Sequence, residues 1–245
     1  MTSTNKITNS AILYDDCFPK GIHGYTSLAY HRKEEVNAGT SSTPEEETHK
    51  WLSEHGIPFS RVVTAGQVHS NTVSYVDKPG HVPATDGLYT DHSNLYLTIR
   101  TADCAAVMIS TSTGSVIGIA HSGWRGTHRK IVQKLVEEIY NYSHEPPESY
   151  HVVISPHIKS CCYQVGQEFL DMFPSEVLLQ RGKELFLNLE KAIQHQLISS
   201  GITESHIDSS PHCTACSSLP LYSYRRQRTS HRLLNIIVKK GETTC

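Results

Sequence analysis

The sequence predicts a mixed α and β fold built as one domain, residues 1–245, with 1–59 as a divergent N-terminal part. Three observations carry that expectation. Short apolar and β-branched runs recur from about residue 60 to 121, a capped helix precedes them, and apolar stripes at helical spacing follow. With 38% hydrophobic and 19% charged residues in 245, the chain has the material for one sizeable core.

The first regular element is a helix whose start is written in "STPEEE". Thr43 is a candidate N-cap, Pro44 suits the first helical position and Glu46 completes a capping box. Residues 36–47 otherwise read as loop, and Gly56 and Pro58 stop the helix near His55. In "RVVTAGQVHSNTVSYVD" the pattern turns to strands through Val62, Val68, Val73 and Val76, with Gly66 as a candidate bulge. "NLYLTIRT" is a further strand, and "AAVMISTSTGSVIGIAH" reads as a hairpin turned at "TSTG". After the turn "HSGWRG", a helix is expected from about Thr127 to Tyr140, with Ile131, Val132, Leu135, Val136, Ile139 and Tyr140 as its apolar stripe. "HVVIS" is a strand. "GQEFLDMF" and "ELFLNLEKAIQHQLI" read as helical, the latter with Leu189, Ile193 and Leu197 on one face, and the tail through "HRLLNIIVKK" reads as one or two late strands.

Charge and composition exclude several classes. A net charge of −2 gives no basic field for nucleic acid. No apolar run approaches the roughly 20 residues that span a bilayer. The opening "MTSTNKITNS" lacks the layout of a signal peptide, so a cytoplasmic location and no membrane partner are expected. In that reducing setting the seven cysteines are expected as thiols or ligands rather than disulfides.

Three residues end strands in the strand-rich middle: His69 of "GQVHS", Cys104 of "TADC" and His121 of "GIAHSGWRG". They are separated by 35 and 17 residues, so any site they form is assembled by the fold rather than by a local motif. Two imidazoles and a thiolate make a sensible three-ligand zinc site with a fourth position open. A packed core thiol, and a Cys104 nucleophile with His121 as its base, are the competing readings. In "HSGWRGTHRK" two glycines flank Trp124 and Arg125. A Gly-containing turn into a helix presents backbone N–H groups to an anion, and Arg125 adds a planar fork, which makes Arg125 and Gly126 candidate substrate-binding residues. Asp103 is a candidate acid–base or ligand-orienting group, or a turn residue. The Cys213/Cys216 CxxC could be redox-active, half of a zinc site or incidental, and with Cys161–Cys162 it is read by preference as structural thiols lining or supporting the pocket. No second CxxC is present to complete an all-cysteine zinc site. Arg225 and Arg226 follow two tyrosines as a candidate anion site or as solvated surface.

Taken together, "GQVHS", "DGLYT…TADC", "AHSGWRG", "CCYQVG" and "CTAC…YSYRR" resemble, in order and spacing, the motifs of the laccase-domain family, also called the multicopper polyphenol oxidoreductase family, whose members are described as zinc-dependent purine nucleoside phosphorylases. The likeness runs from about residue 60 to the C-terminus. It implies an α/β sandwich of central mixed β-sheets flanked by helices. It implies a catalytic zinc on His69, Cys104 and His121, phosphorolysis of adenosine, inosine and methylthioadenosine, and adenosine deamination at the same site. Copper is the other metal that the older name implies, although the repeated His-rich sites of true multicopper oxidases are missing. The chain departs from the pattern near Ser27 and Leu28, where an Arg is usual, at Ala105–Ala106, where a Pro is usual, and at Ser70, where a Gly is usual. A non-catalytic nucleoside-binding relative and a Cys-His hydrolase or deamidase remain the alternatives. The oligomeric state is left open.

Overall fold

The computed structural model describes residues 6–29 and 43–241. The expected loop at 36–42, residues 30–35 of the divergent segment and Cys245 therefore lie outside the described residues. Along the chain, β1 (Lys6–Ile7), β2 (Ala11–Leu13) and β3 (Ile22–Ser27) precede α1 (Pro44–Glu54). A strand-rich stretch follows: β4 (Val62–Ala65), β5 (Val73–Tyr75), β6 (Gly80–Val82), β7 (Gly87–Thr90), β8 (Tyr96–Thr101), β9 (Ala105–Ser110) and β10 (Ile117–Ser122). Then come α2 (Trp124–His128), α3 (Ile131–Ser143), β11 (His151–Ile154), β12 (Gln164–Val165), β13 (Leu178–Arg181) and β14 (Glu184–Leu187). The last elements are α4 (Leu189–Ser199), β15 (Ile207–Ser209), α5 (Tyr224–Gln227) and β16 (Leu233–Lys239).

Among the described residues a seven-stranded sheet runs β1-β2-β3-β16-β8-β4-β6, and a six-stranded sheet runs β15-β11-β9-β10-β7-β5. Both are mixed: β4 pairs parallel with β6 and β8, and β5 with β7, while β9, β10 and β16 pair antiparallel with their neighbours. The side-chain period of two sorts each central strand between layers. In β9, Ala106 and Met108 face Leu97, Ile99, Leu233 and Ile237 of the other sheet, filling the space between the sheets. Ala105, Val107 and Ile109 point the opposite way, onto Ile131, Leu135, Val136 and Ile139 of α3. On the far side of the seven-stranded sheet, Leu234, Ile236 and Val238 meet Trp51 and Leu52 of α1. The result is a sandwich of two mixed sheets flanked by helices, as the family likeness implied. No helix among the described residues is long and apolar enough to cross a membrane.

A polar group lies in the core between the sheets. Asn235 of β16 accepts from Thr26, which accepts from Tyr14, and its amide donates to the Ile99 carbonyl and to Thr101. All the side chains of this chain of bonds are buried and all are satisfied.

Local chemistry explains where the elements begin. The Thr43 hydroxyl accepts from the Glu46 N–H (3.2 Å) while the Glu46 carboxylate accepts from the Thr43 N–H (2.8 Å), so the expected capping box starts α1. The hairpin of β9 and β10 turns at Thr111–Gly114, as expected, and is clamped from outside by Glu145, which accepts from Ser112, Thr113 and Ser115.

Five local expectations are corrected. The helix expected from Thr127 is two helices, α2 starting already at Trp124. Lys130, at φ +63°, breaks the run and redirects α3 so that its apolar stripe lies on β10. In "ELFLNLEK" the first four residues form β14, paired with β12 and β13, and Asn188 caps α4 by accepting from the Lys191 N–H. "GQEFLDMF" holds only a 3-10 turn, Gln167–Leu170. "YRRQ" is the short α5, capped by Ser223, and leaves β16 as the late strand of the tail. Gly66 is no bulge. A Cβ there would stand 2.8 Å from the Ala84 backbone N, so glycine permits two backbones to touch.

Candidate functional site

The site lies at the end of the sandwich where the chain crosses from one sheet to the other. β4 leaves the seven-stranded sheet and reaches β5 of the six-stranded sheet through residues 66–72, which carry His69. β8 leaves the same sheet and reaches β9 through Ala102, Asp103 and Cys104. His121 sits on β10, opposite Ala106 of β9, next to that second crossing. The three expected ligands therefore converge: their ligating atoms all lie within 4.8 Å of one another. The His69 and His121 rings meet edge to face at 4.9 Å.

Asp86, buried between these crossings, organises them. One carboxylate oxygen accepts from His121 Nδ1 (2.8 Å) and from the His69 N–H (3.1 Å). The other accepts from the Val68 N–H and from the N–H and hydroxyl of Ser70. The turn 68–70 is thus wound around one carboxylate, which fixes His69 at φ +60°, and Arg129 completes the clamp by donating to the His69 carbonyl. Burial alone would raise the Asp86 carboxyl, but the His121 ring and the Ser70 donors outweigh it and hold the group well below the usual carboxylate range. With Nδ1 engaged, His121 presents Nε2 to Cys104, the arrangement in which a carboxylate sets the tautomer of a metal-binding imidazole.

Cys104 is half-buried. Burial pushes its thiol up, yet the His121 and His69 rings outweigh burial and bring it down to about 6. For His121, burial opposes the charge, while the Cys104 thiolate and Asp86 raise the ring to about 9. Thiolate and imidazolium stabilise each other here as one coupled pair. The backbone leaves room for the sulfur only because residue 123 is glycine: a Cβ at Gly123 would stand 2.6 Å from the Cys104 sulfur. A thiolate, two imidazoles and a carboxylate behind one of them match the donors that zinc takes, and copper accepts the same set.

Asp103 stands beside Cys104 at φ +90°, a strained conformation for a residue with a side chain. Three hydrogen bonds hold it there. Its carboxylate accepts from the Thr214 hydroxyl (2.7 Å) and the Arg225 N–H (2.6 Å), and its carbonyl accepts from the Ile158 N–H. Both carboxylate oxygens are thus engaged in holding the turn that presents Cys104.

These residues floor one end of a cavity of about 700 Å³, walled by Trp124, Tyr163 and Tyr224 and bordered by Arg100, Arg125, Arg225 and Arg232. Arg125 is exposed and stacks on Trp124, 4.4 Å from the ring centre. The other arginines are tied to the protein: Arg225 donates to the Gln164 carbonyl, Arg232 to the Thr229 and His231 carbonyls, and Arg100 approaches Glu45. Gly126 is buried, and a Cβ there would press on the His121 carbonyl (3.0 Å) and Ile131 (3.2 Å), so its place in the structure is to let α2 close on the site. Arg226 turns to the Leu221 carbonyl.

Sequence reasoning passed over Asp86, although "DGLYT" was among the motifs. A lone Asp-Gly reads as a turn, and nothing local reveals that its carboxylate faces two histidines. Tyr163, directly after the paired cysteines, was equally silent.

Comparisons with known proteins find relatives over most of the chain. A family model described as multi-copper polyphenol oxidoreductase laccase matches residues 27–240. Purine nucleoside phosphorylase YlmD of Geobacillus stearothermophilus is 32% identical over 214 residues, 80% of this chain and 77% of that protein. Adenosine deaminase RL5, from an unknown prokaryotic organism, is 24% identical over 190 residues, 70% of this chain and 72% of that protein. The crystal structure of YlmD from Geobacillus stearothermophilus superposes with a TM-score of 0.86 at 25% identity, covering 96% of this chain and 98% of the other.

Proposed function

The chain belongs to the multi-copper polyphenol oxidoreductase laccase family, and on that premise we propose that it is a metal-dependent purine nucleoside phosphorylase with adenosine deaminase activity at the same site. Adenosine, inosine and methylthioadenosine are the proposed nucleosides, and the whole chain works as one cytoplasmic domain. The observation that carries this reading is the convergence of His69, Cys104 and His121 at the floor of an aromatic-walled, arginine-bordered cavity.

His69, Cys104 and His121 would hold the ion, zinc by the donor set, which when bound supplies Lewis acidity for activating water or polarising the purine. Asp86 keeps His121 in the tautomer that binds, and Asp103 keeps Cys104 aimed at the ion. Trp124 and Tyr163 offer flat apolar faces to a purine. Arg125 pairs with no carboxylate among the described residues, and its fork suits the phosphate that attacks the ribose carbon as the bond to the base breaks. A Cys104 nucleophile with His121 as base would leave His69, held on the same carboxylate, without a task.

Incubation of the metal-loaded protein with adenosine and phosphate tests the proposal. Adenine with ribose 1-phosphate, and inosine from the deaminase reaction, are the expected products. Replacing Arg125 by Gln should raise KM for phosphate about tenfold, the effect of losing roughly 1.4 kcal/mol of binding, and leave inosine formation from adenosine little changed. Absence of all three products from protein shown to hold metal would overturn the proposal.

A further inference from the structure

Four cysteines outside the cavity floor come together. Cys161 and Cys162 lie between β11 and β12, and Cys213 and Cys216 lie in the loop after β15. Their four sulfurs all stand within 4.8 Å of one another, and Cys161 and Cys216 approach to 3.6 Å. The sequence holds no second CxxC, and the partner of Cys213/Cys216 is instead the adjacent Cys161–Cys162 pair, which closes a four-thiol set that spacing alone does not announce.

Packing does not explain this group. Cysteine packs as a small hydrophobe when buried, but Cys161 and Cys216 are exposed and only Cys213 is buried. A disulfide needs two sulfurs at about 2.05 Å and gives no reason for four to converge. An iron–sulfur cluster spreads its thiolates over several irons and so needs a wider set. One tetrahedral ion with bonds of about 2.3 Å places its sulfurs about 3.8 Å apart, and here one pair stands 3.6 Å apart with all four inside 4.8 Å.

The backbone is arranged for the same end. The Lys159 N–H points at the Cys213 sulfur at 3.4 Å, as donors do around a bound thiolate. The CxxC loop is braced by the bridge between His157 and Cys213, by Thr214 N–H to the His157 carbonyl and by Ser217 N–H to the Cys213 carbonyl. Lys159, whose ammonium pairs with Glu190, adds a positive charge beside a set that stays negative with a divalent ion.

We infer that Cys161, Cys162, Cys213 and Cys216 hold a second, structural divalent ion, zinc, separate from the cavity floor. This ion ties the segment carrying Tyr163 to the loop carrying Thr214, whose hydroxyl holds Asp103 beside Cys104. It is thus a clip behind one wall of the cavity, and it takes no part in the chemistry there.

The test is the metal content of the full chain purified in reductant without added metal, for the native protein, Cys104→Ala and the double variant Cys213→Ser/Cys216→Ser. About two zinc ions per chain are expected for the native protein and about one for each variant, since binding follows the ligand set. Cobalt substitution gives a second reading. Thiolate-to-cobalt absorption of four-thiolate intensity should persist in Cys104→Ala and fall in the double variant to the weaker band of the single thiolate Cys104. Equal zinc in the double variant and the native protein, iron in place of zinc, or a disulfide among these four residues would overturn the inference. If the double variant does not accumulate, Cys104→Ala alone decides: about one zinc per chain supports the clip, and none refutes it. A zinc count in Cys104→Ala equal to that of the native protein faults the His69–Cys104–His121 site instead and leaves the clip standing.

Discussion

Asp86 does more for the candidate site than any residue that touches the cavity. It fixes the backbone of His69 and the ring of His121 with one carboxylate, so two ligands 52 residues apart share one support (121 less 69). Replacing Asp86 by Asn should weaken binding of the proposed zinc about 10–100-fold, the usual cost of losing a carboxylate behind a ligating imidazole. Competition with a chelator of known affinity measures it, and an unchanged affinity would show that the carboxylate serves only the fold. His69, Cys104 and His121 were legible in the sequence because each is a polar residue at the edge of an apolar, strand-like run, although His69 and Cys104 lie in the connections after β4 and β8 and His121 lies within β10. Asp86 was not, because its role depends on the turn at 68–70 folding back over it, a contact between segments that no periodicity records. Arg125, singled out in the sequence by the glycines around it, borders the cavity, and its neighbour Gly126 packs closely on the His121 carbonyl.

Among the elements, those with a local signal were read correctly and those decided by partners were not. α1 carries its own capping box, and the hairpin of β9 and β10 carries its turn. "ELFL" has the residues of a helix but becomes β14 because β12 and β13 offer it strand partners on both sides. The four cysteines illustrate the same limit, since adjacency and CxxC spacing are both weak until the loops meet. The hairpin also provides a pH-sensitive joint. Burial would raise the Glu145 carboxyl, but donors from Ser115, Thr113 and Ser112 outweigh it and bring it down to about 2. Its folded value lies below the ordinary 4.5, so its stabilisation is complete above pH 4.5 and disappears as pH falls from there through about 2. Glu145→Gln should lower Tm by about 2–4 °C at pH 7, corresponding to roughly 1 kcal/mol after allowance for solvent screening. The gap from the native protein should close on acidification toward pH 3. A gap independent of pH, followed by thermal unfolding at several pH values, would show that charge on Glu145 is not what the turn uses.

At the scale of the whole molecule, stability rests on the apolar layer between the two sheets, and the site rests on the crossings at its end. Met108, fully buried in that layer, should cost about 2–5 kcal/mol when cut to Ala, measured by urea unfolding. A cost near zero would mean that the layer refills around the gap. The last described strand, β16, lies in the middle of its sheet between β3 and β8, and Asn235 is its fully buried polar residue facing that layer. Shifting β16 by one position would strand the Asn235 amide among Trp51, Leu52 and Tyr96 and aim Leu234 or Ile236 at the Thr26 hydroxyl. Such a slip forfeits three satisfied contacts at once. The amide therefore works as an alignment pin: β16 locks into its slot in one position only, and the wrong positions are rejected by desolvation rather than by shape.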